Sequence, residues 1–550
     1  MFKQIHKQSL LCFVCALLLV TTAGAADTTD LQLQERLRAH IDFLADDLML
    51  GRQPGSDGYN IAANYVASQF RQSGLAPAGT AGSYFQQVPL RQTLLVPGSA
   101  TMTYQRGNKN TEFSFVEEFY MGPSLARTSA SVEAELVFVG YGIDAPELEY
   151  SDYGNIDTNG KIVVQFAGQP HDFPSEEGAH FASTSQKTLA AASHGAVGIV
   201  MIHTPRAAQR FQWERVRNLV GTPSMGWINA QGQVHGQFDQ IQAGAMLRHT
   251  AAALLFEGSG YELETLLEND DEGKPLPGFD LKGRISLSQQ STHGDLSSPN
   301  VAAVLPGSDP LLADEYVVYT AHLDHLGELH PDGDTDKDRD MINNGAMDNA
   351  SGVSVMLETA RLFAEGTPPR RSLLFVAVTA EEKGLVGSEY FAMNPTVPIE
   401  SIVSEVNLDM PVLLYEFGDV IAFGAEHSSL GDTVREAAKL NGIELSPDPF
   451  PEQNIFVRSD HYRFVQQGVP SVFLVTGMKS LDGSIDTRPI FEGFLQEHYH
   501  KPSDDLNLPL NYTAAAKFTR INVSIGELIA NDPDRPGWHE GDFFGRTYAK

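Results

Sequence analysis

The chain has 550 residues, with 70 Asp and Glu against 38 Lys and Arg and a formal charge of −32 at pH 7. So acidic a surface repels phosphate backbones and anionic lipid, which excludes nucleic-acid binding and gives no electrostatic case for membrane attachment. Both cysteines, Cys12 and Cys15, fall within the first 25 residues, so beyond them disulfides, thiolate metal sites and a cysteine nucleophile are excluded, and any metal is held by His and carboxylates.

Residues 1–25 read as a secretory signal: Lys3 and Lys7, the apolar run SLLCFVCALLLV, then Ala23-Gly24-Ala25 as a small-residue cleavage site. The run is shorter than the roughly 20 residues a spanning helix needs, so the mature chain is expected to have no membrane span and to be exported, periplasmic or extracellular. LQERLRAHIDFLADDLML has apolar residues at helical spacing, and YNIAANYVASQFRQSGL reads as a second helix stopped by Gly74 and Pro77. From about residue 130 to 260, ELVFVGYGI, KIVVQFAG and VGIVMIHT read as strands and TSQKTLAAASHGA as a helix. No acid, base or metal cluster stands out there. From residue 299 onward, apolar strands (EYVVYTAHLDH, RSLLFVAVTAEE, IVSEVNLDM, DVIAFGAE, VPSVFLVTG) alternate with amphipathic helices. That pattern predicts an α/β fold with a largely parallel central sheet flanked by helices, and a smaller α/β unit inserted into it.

In such sheets ligands collect beyond the carboxyl ends of the strands. His322 and Asp324 end the first strand in AHLDH, Glu381 and Glu382 follow the next in TAEEKG, and Asp409 ends VNLDM. Asp348 occupies the glycine-flanked turn GAMDNASG, where its two oxygens could bridge two cations. His322 and Asp324 share a strand face, so Asp324 is expected to hold the second ring nitrogen of His322. Glu381 and Glu382 point apart, giving one ligand and one base. In EHYHKPSDD, both His498 and His500 are available, and Asp504 could orient His500.

GAMDNASG, TAEEKGLVGS, VNLDM and YHKPSDD, with AHLDH upstream and RSDHYRF between, resemble the two-zinc exopeptidase family of secreted bacterial leucyl aminopeptidases, metallopeptidase family 28. The resemblance covers about residues 30–95, including FLADDLMLGRQPGSDG, and 290–530; GKIVVQFAG and KTLAAASHGAVGIVMI look like an inserted protease-associated (PA) domain. It implies a peptidase domain formed by residues 26–110 and 291–550, with 111–290 inserted between them. It also implies two zinc ions, one held by His322 and Asp409, the other by Glu382 and His500, with Asp348 bridging, and Glu381 as general base. His500 is favoured over His498 on the same ground. Asp460 and His461 in RSDHYRF are expected near the site rim, in a supporting or substrate-side role.

The expected activity is aminopeptidase action on peptide substrates. A carboxypeptidase or a glutaminyl cyclase of the same superfamily is the alternative, and a non-catalytic PA-containing receptor is a third, disfavoured by the intact ligand set and base. The acidic stretch at 332–340, with Asp332, Asp334, Asp336, Asp338 and Asp340, reads as a solvated loop or a calcium site, though it lacks the glycine and glutamate of an EF-hand loop.

Overall fold

The structure is a computed structural model that describes residues 30–329 and 340–549. The expected signal and Asp332, Asp334, Asp336 and Asp338 lie outside the described residues. No helix among the described residues is long and apolar enough to cross a membrane.

The strands Ser372–Val378 and Ile402–Leu408 are buried at every position, as expected where both faces of a parallel sheet are covered. Tyr316–His322 lies between them, parallel to both, and Ser471–Thr476 extends the parallel block beyond Ile402–Leu408. Antiparallel strands flank this block: Phe279–Leu305 on one side, Asp419–Phe423 on the other. One face is covered by a helix over 30–44 and by Asp57–Gln72, Gly352–Glu365 and Tyr512–Asn531, which pack Leu37, Val66, Val353 and Ile521 onto the sheet. The opposite face packs Val318, Leu374 and Val376 against Phe391 and Phe464. Phe375, fully buried beside Tyr319 at a ring separation of 5.3 Å, is a core position whose truncation to Ala costs about 3–5 kcal/mol. This is the α/β architecture expected, with four parallel strands at the centre and a further parallel pair, Asp419–Phe423 with Glu444–Ser446, at one edge.

A second sheet joins the first through one strand. Phe279–Leu305 runs for 27 residues. Its early part pairs with Thr101–Arg106 and Ser129–Phe138, and its later part with Phe85–Leu95 and Ser372–Val378. Beyond Ser129–Phe138 follow Ile162–Phe166, Gly198–His203 and Ala243–Arg248, all parallel. Thr101–Arg106 takes its hydrogen bonds in this second sheet. The helix Ser175–Ala182 of this part packs back onto residues 455–457 of the first.

Candidate metal centre

Parallel register brings the chemistry to one edge. His322 pairs opposite Val378, three residues before Glu381, and the neighbouring strand Ile402–Leu408 ends one residue before Asp409. Asp348 reaches the same space from a turn over Ala346–Ser351 that precedes the helix Gly352–Glu365. Gly352 is required there: a Cβ would meet Asn349 Oδ1 at 2.2 Å and Leu408 O at 2.4 Å. Asn349 donates to Leu408 O at 2.9 Å and accepts from Met410 N–H at 3.2 Å, tying the turn to the strand end that carries Asp409.

Four distances define the centre. His322 Nε2 lies 3.1 Å from Asp348 Oδ1 and 3.1 Å from Asp409 Oδ1. His500 Nε2 lies 3.2 Å from Asp348 Oδ2 and 3.3 Å from Glu382 Oε2. One carboxylate thus faces two imidazoles with opposite oxygens. The structure brings together all five residues expected as ligands, whereas His498 turns away to Ser503 O at 3.0 Å.

The donor set fits metal ions. His322 Nδ1 sits 3.1 Å from Asp324 O; donating there, a neutral ring presents its Nε2 lone pair to two carboxylate oxygens. Only a proton or a cation relieves that arrangement. For four-coordinate zinc with bonds of about 2.0–2.1 Å the tetrahedral edge is about 3.3 Å, which all four distances approach. Imidazole and carboxylate without thiolate suit zinc.

The supporting contacts differ from the expectation. Asp324 meets His322 through its backbone carbonyl, with the carboxylate 4.0 Å from Nδ1. Its carboxylate instead accepts the N–H groups of Glu381 and Glu382 at 3.0 and 3.3 Å, shaping the turn that separates the two glutamates. Asp504 likewise does not orient His500: its oxygens accept Met347 N–H at 2.8 Å and Asp348 N–H at 3.0 Å. Both corrections have one cause, since a carboxylate beside a tight turn satisfies backbone donors that nothing else can reach. Asp460 and His461 are fully buried and so are not rim groups. Burial pushes the Asp460 carboxyl up to about 7, against the pull of His322, and the His461 ring packs on Phe456 and Phe473.

Three residues of the centre escaped sequence reasoning. Ser459 donates to Asp409 Oδ2 at 2.6 Å. His325 Nδ1 lies 2.6 Å from Glu382 Oε1 but 4.0 Å from Asp348 Oδ2, so it leans on one carboxylate where His500 faces two evenly. Its position three residues after His322 in AHLDH was the available signal. Tyr499 lays its ring on His500 at a centroid distance of 3.8 Å. Burial keeps its phenol protonated, and Asp348, Glu382 and Glu381 are near enough to reinforce that. Glu381 is itself raised well above the ordinary glutamate range by burial and by Asp409, Glu382 and Asp460, although His322 opposes.

The sequence profile of peptidase family M28 matches residues 300–525, the stretch that contains every one of these groups. Over these residues the chain is similar to peptidase family M28. Relatives of the chain include the mouse aminopeptidase NAALADL1, 33% identical over 153 residues, which are 26% of this chain and 18% of that one. A probable zinc metalloprotease of Pyrenophora teres f. teres is 36% identical over 111 residues, 20% of this chain and 22% of that protein. The chain thus spans about a fifth of the length of these two relatives. Among solved structures, the aminopeptidase from Aneurinibacillus sp. strain AM-1 has the same fold at 21% identity and a TM-score of 0.52, with 91% of this chain and 97% of that one covered.

Proposed function

We propose that the protein is an exported zinc aminopeptidase that removes N-terminal residues from peptides at a two-metal centre. The observation that carries the proposal is Asp348, whose two oxygens face His322 and His500 separately. His322 and Asp409 would hold one zinc, Glu382 and His500 the other, and Asp348 both, while His325 steadies Glu382 by its hydrogen bond. Zinc supplies a lowered pKa for water and polarisation of the scissile carbonyl.

The chain's own residues do the rest. Glu381, a proton acceptor whose affinity is raised by burial and neighbouring carboxylates, takes a proton from the attacking water and delivers it to the leaving amine. Asp324 fixes Glu381 and Glu382 through their backbone N–H groups, so base and ligand cannot exchange places. Tyr499, protonated and without a hydrogen-bond partner for its hydroxyl among the described residues, offers that O–H to the developing oxyanion. Export is supported by the signal-like residues 1–25, and a PA-like identity of the second sheet by its parallel strands and their sequence pattern.

Two measurements on the full mature chain test this: zinc content, and release of free amino acids from peptides blocked at one end or the other. About two zinc ions per chain, with cleavage requiring a free amino terminus, is the expected result. A single zinc, or cleavage requiring a free carboxyl terminus, overturns it.

A further inference from the structure

Arg52 is 1% exposed, yet it ends a kinked 3-10 helix, Asp47–Arg52, far in sequence from the metal centre. Its guanidinium reaches three separate segments: Nε donates to Leu323 O at 2.9 Å, Nη1 to Asn344 O at 2.6 Å and to Leu44 O, and Nη2 to Gly345 O at 3.0 Å. Its own carbonyl accepts His325 N–H at 3.3 Å. Leu323 stands between His322 and Asp324, and Asn344 and Gly345 lead into the turn that carries Asp348. One side chain therefore bridges the loop of the first ligand and the turn of the shared ligand.

The backbone is built to deliver it. Leu50, Gly51 and Arg52 have φ of 47°, 64° and 47°, and two non-glycine residues in this region persist only where the surroundings over-determine them. Gly51 passes so close to the hairpin of Gly327–Glu328 and Ile342–Asn343 that a Cβ would meet Asn343 O at 2.5 Å. Asn344 returns the contact, donating to Ala45 O at 3.0 Å and to Asp47 Oδ1 at 2.8 Å. Lysine cannot replace this contact, because only a planar fork of five donors spans four acceptors on three segments at fixed angles. Burial draws the guanidinium down to about 10 against the pull of Asp504, Asp348, Asp324 and Glu382, so it stays charged at neutral pH and opposes the repulsion among those carboxylates.

We propose that Arg52 is a positioning residue for the metal centre: it locks the spacing between the His322 loop and the Asp348 turn, so that the pocket is formed before an ion enters it. The assignment rests on the two-metal centre proposed above. A pocket already in shape binds its ion without a reorganisation cost.

The test compares zinc affinity, by chelator competition on the full chain, for wild type, Arg52→Met, Arg52→Lys and Arg371→Met. Arg371 is the control: equally buried, it donates to Ile529 O at 2.9 Å and Glu315 Oε2 at 2.6 Å, away from the centre. The expected result is a loss of about 10-fold or more in zinc affinity for Arg52→Met, a smaller loss for Arg52→Lys, and none for Arg371→Met at a similar drop in Tm. Should Arg52→Met fail to fold, Arg52→Lys carries the comparison. Wild-type zinc affinity in the folded Arg52 variants, or an equal loss in Arg371→Met, overturns the positioning role alone; a wild-type chain that takes up no zinc overturns the two-metal reading and this role with it.

Discussion

Asp504 holds the turn of Asp348 from outside: its two oxygens accept the backbone N–H groups of Met347 and Asp348 at 2.8 and 3.0 Å. The acid lies 157 residues beyond Met347 in the sequence, in the loop just after His500. Asp504→Ala removes both acceptors and leaves two buried donors unpaired. Zinc titration is expected to show a loss of about 10–100-fold in affinity, with Asp504→Asn, which keeps one carbonyl acceptor, falling between.

Glu381→Gln keeps the shape of the side chain and removes its ability to accept a proton. Zinc content is expected to stay at the wild-type level while kcat falls about 100- to 10,000-fold. A variant that turns over peptide near the wild-type rate would remove Glu381 as the base.

Stripping the metal with a chelator is expected to abolish turnover and lower Tm together, because ions that bind only the folded chain stabilise it by mass action, by about 2.7 kcal/mol at a hundredfold excess over Kd. Calorimetric melts before and after adding zinc back check this. An unchanged Tm on stripping would show that the five ligand residues hold no ion.

His427 gives a pH dependence separate from the metal centre. It sits between Asp542 on Nδ1 and Glu176 on Nε2, joining the helix Ser175–Ala182 of the second sheet to the C-terminal helix region, with Glu426 also facing it. Burial pulls its pKa down, but the bonds to Asp542 and Glu176 outweigh that and raise it to about 10. Since the folded value exceeds the unfolded value of about 6.5, the clamp contributes fully below pH ~6.5, fades as pH rises, and is gone above about 10. The Tm gap between wild type and His427→Gln should be largest near pH 6 and close by pH 10; a gap that widens with pH would contradict the clamp.

Much of the centre was readable because parallel strands put their carboxyl ends at one edge, so His322, Glu382 and Asp409 declared themselves as polar residues ending apolar runs. Asp348 was readable from its flanking glycines. The partners of Asp324 and Asp504 were not, because they are backbone N–H groups of turns whose geometry no residue pattern encodes. Arg52 was silent for a related reason: its acceptors Leu323 and Asn344 are carbonyls 271 and 292 residues away. The strand Phe279–Leu305 also escaped notice, since STHGDLSSPN within it has no apolar alternation; pairing with Phe85–Leu95 along one side holds that stretch extended.

That strand sets an order of assembly. Phe85–Leu95 is paired along its whole length by Ser291–Val301, while Ser224–Trp227 covers only Leu90–Thr93 on its other edge, and the loop closed by the first pairing contains the second sheet. Forming that sheet first shortens the effective chain and lowers the entropy of closing so long a loop. During synthesis Phe85–Leu95 has at most the short partner Ser224–Trp227 until residue 301 has emerged and supplies the pairing that covers the whole strand. A truncation ending before the strand should therefore leave the first 95 residues as bait for chaperones and proteases, however sound the sequence of the helices themselves.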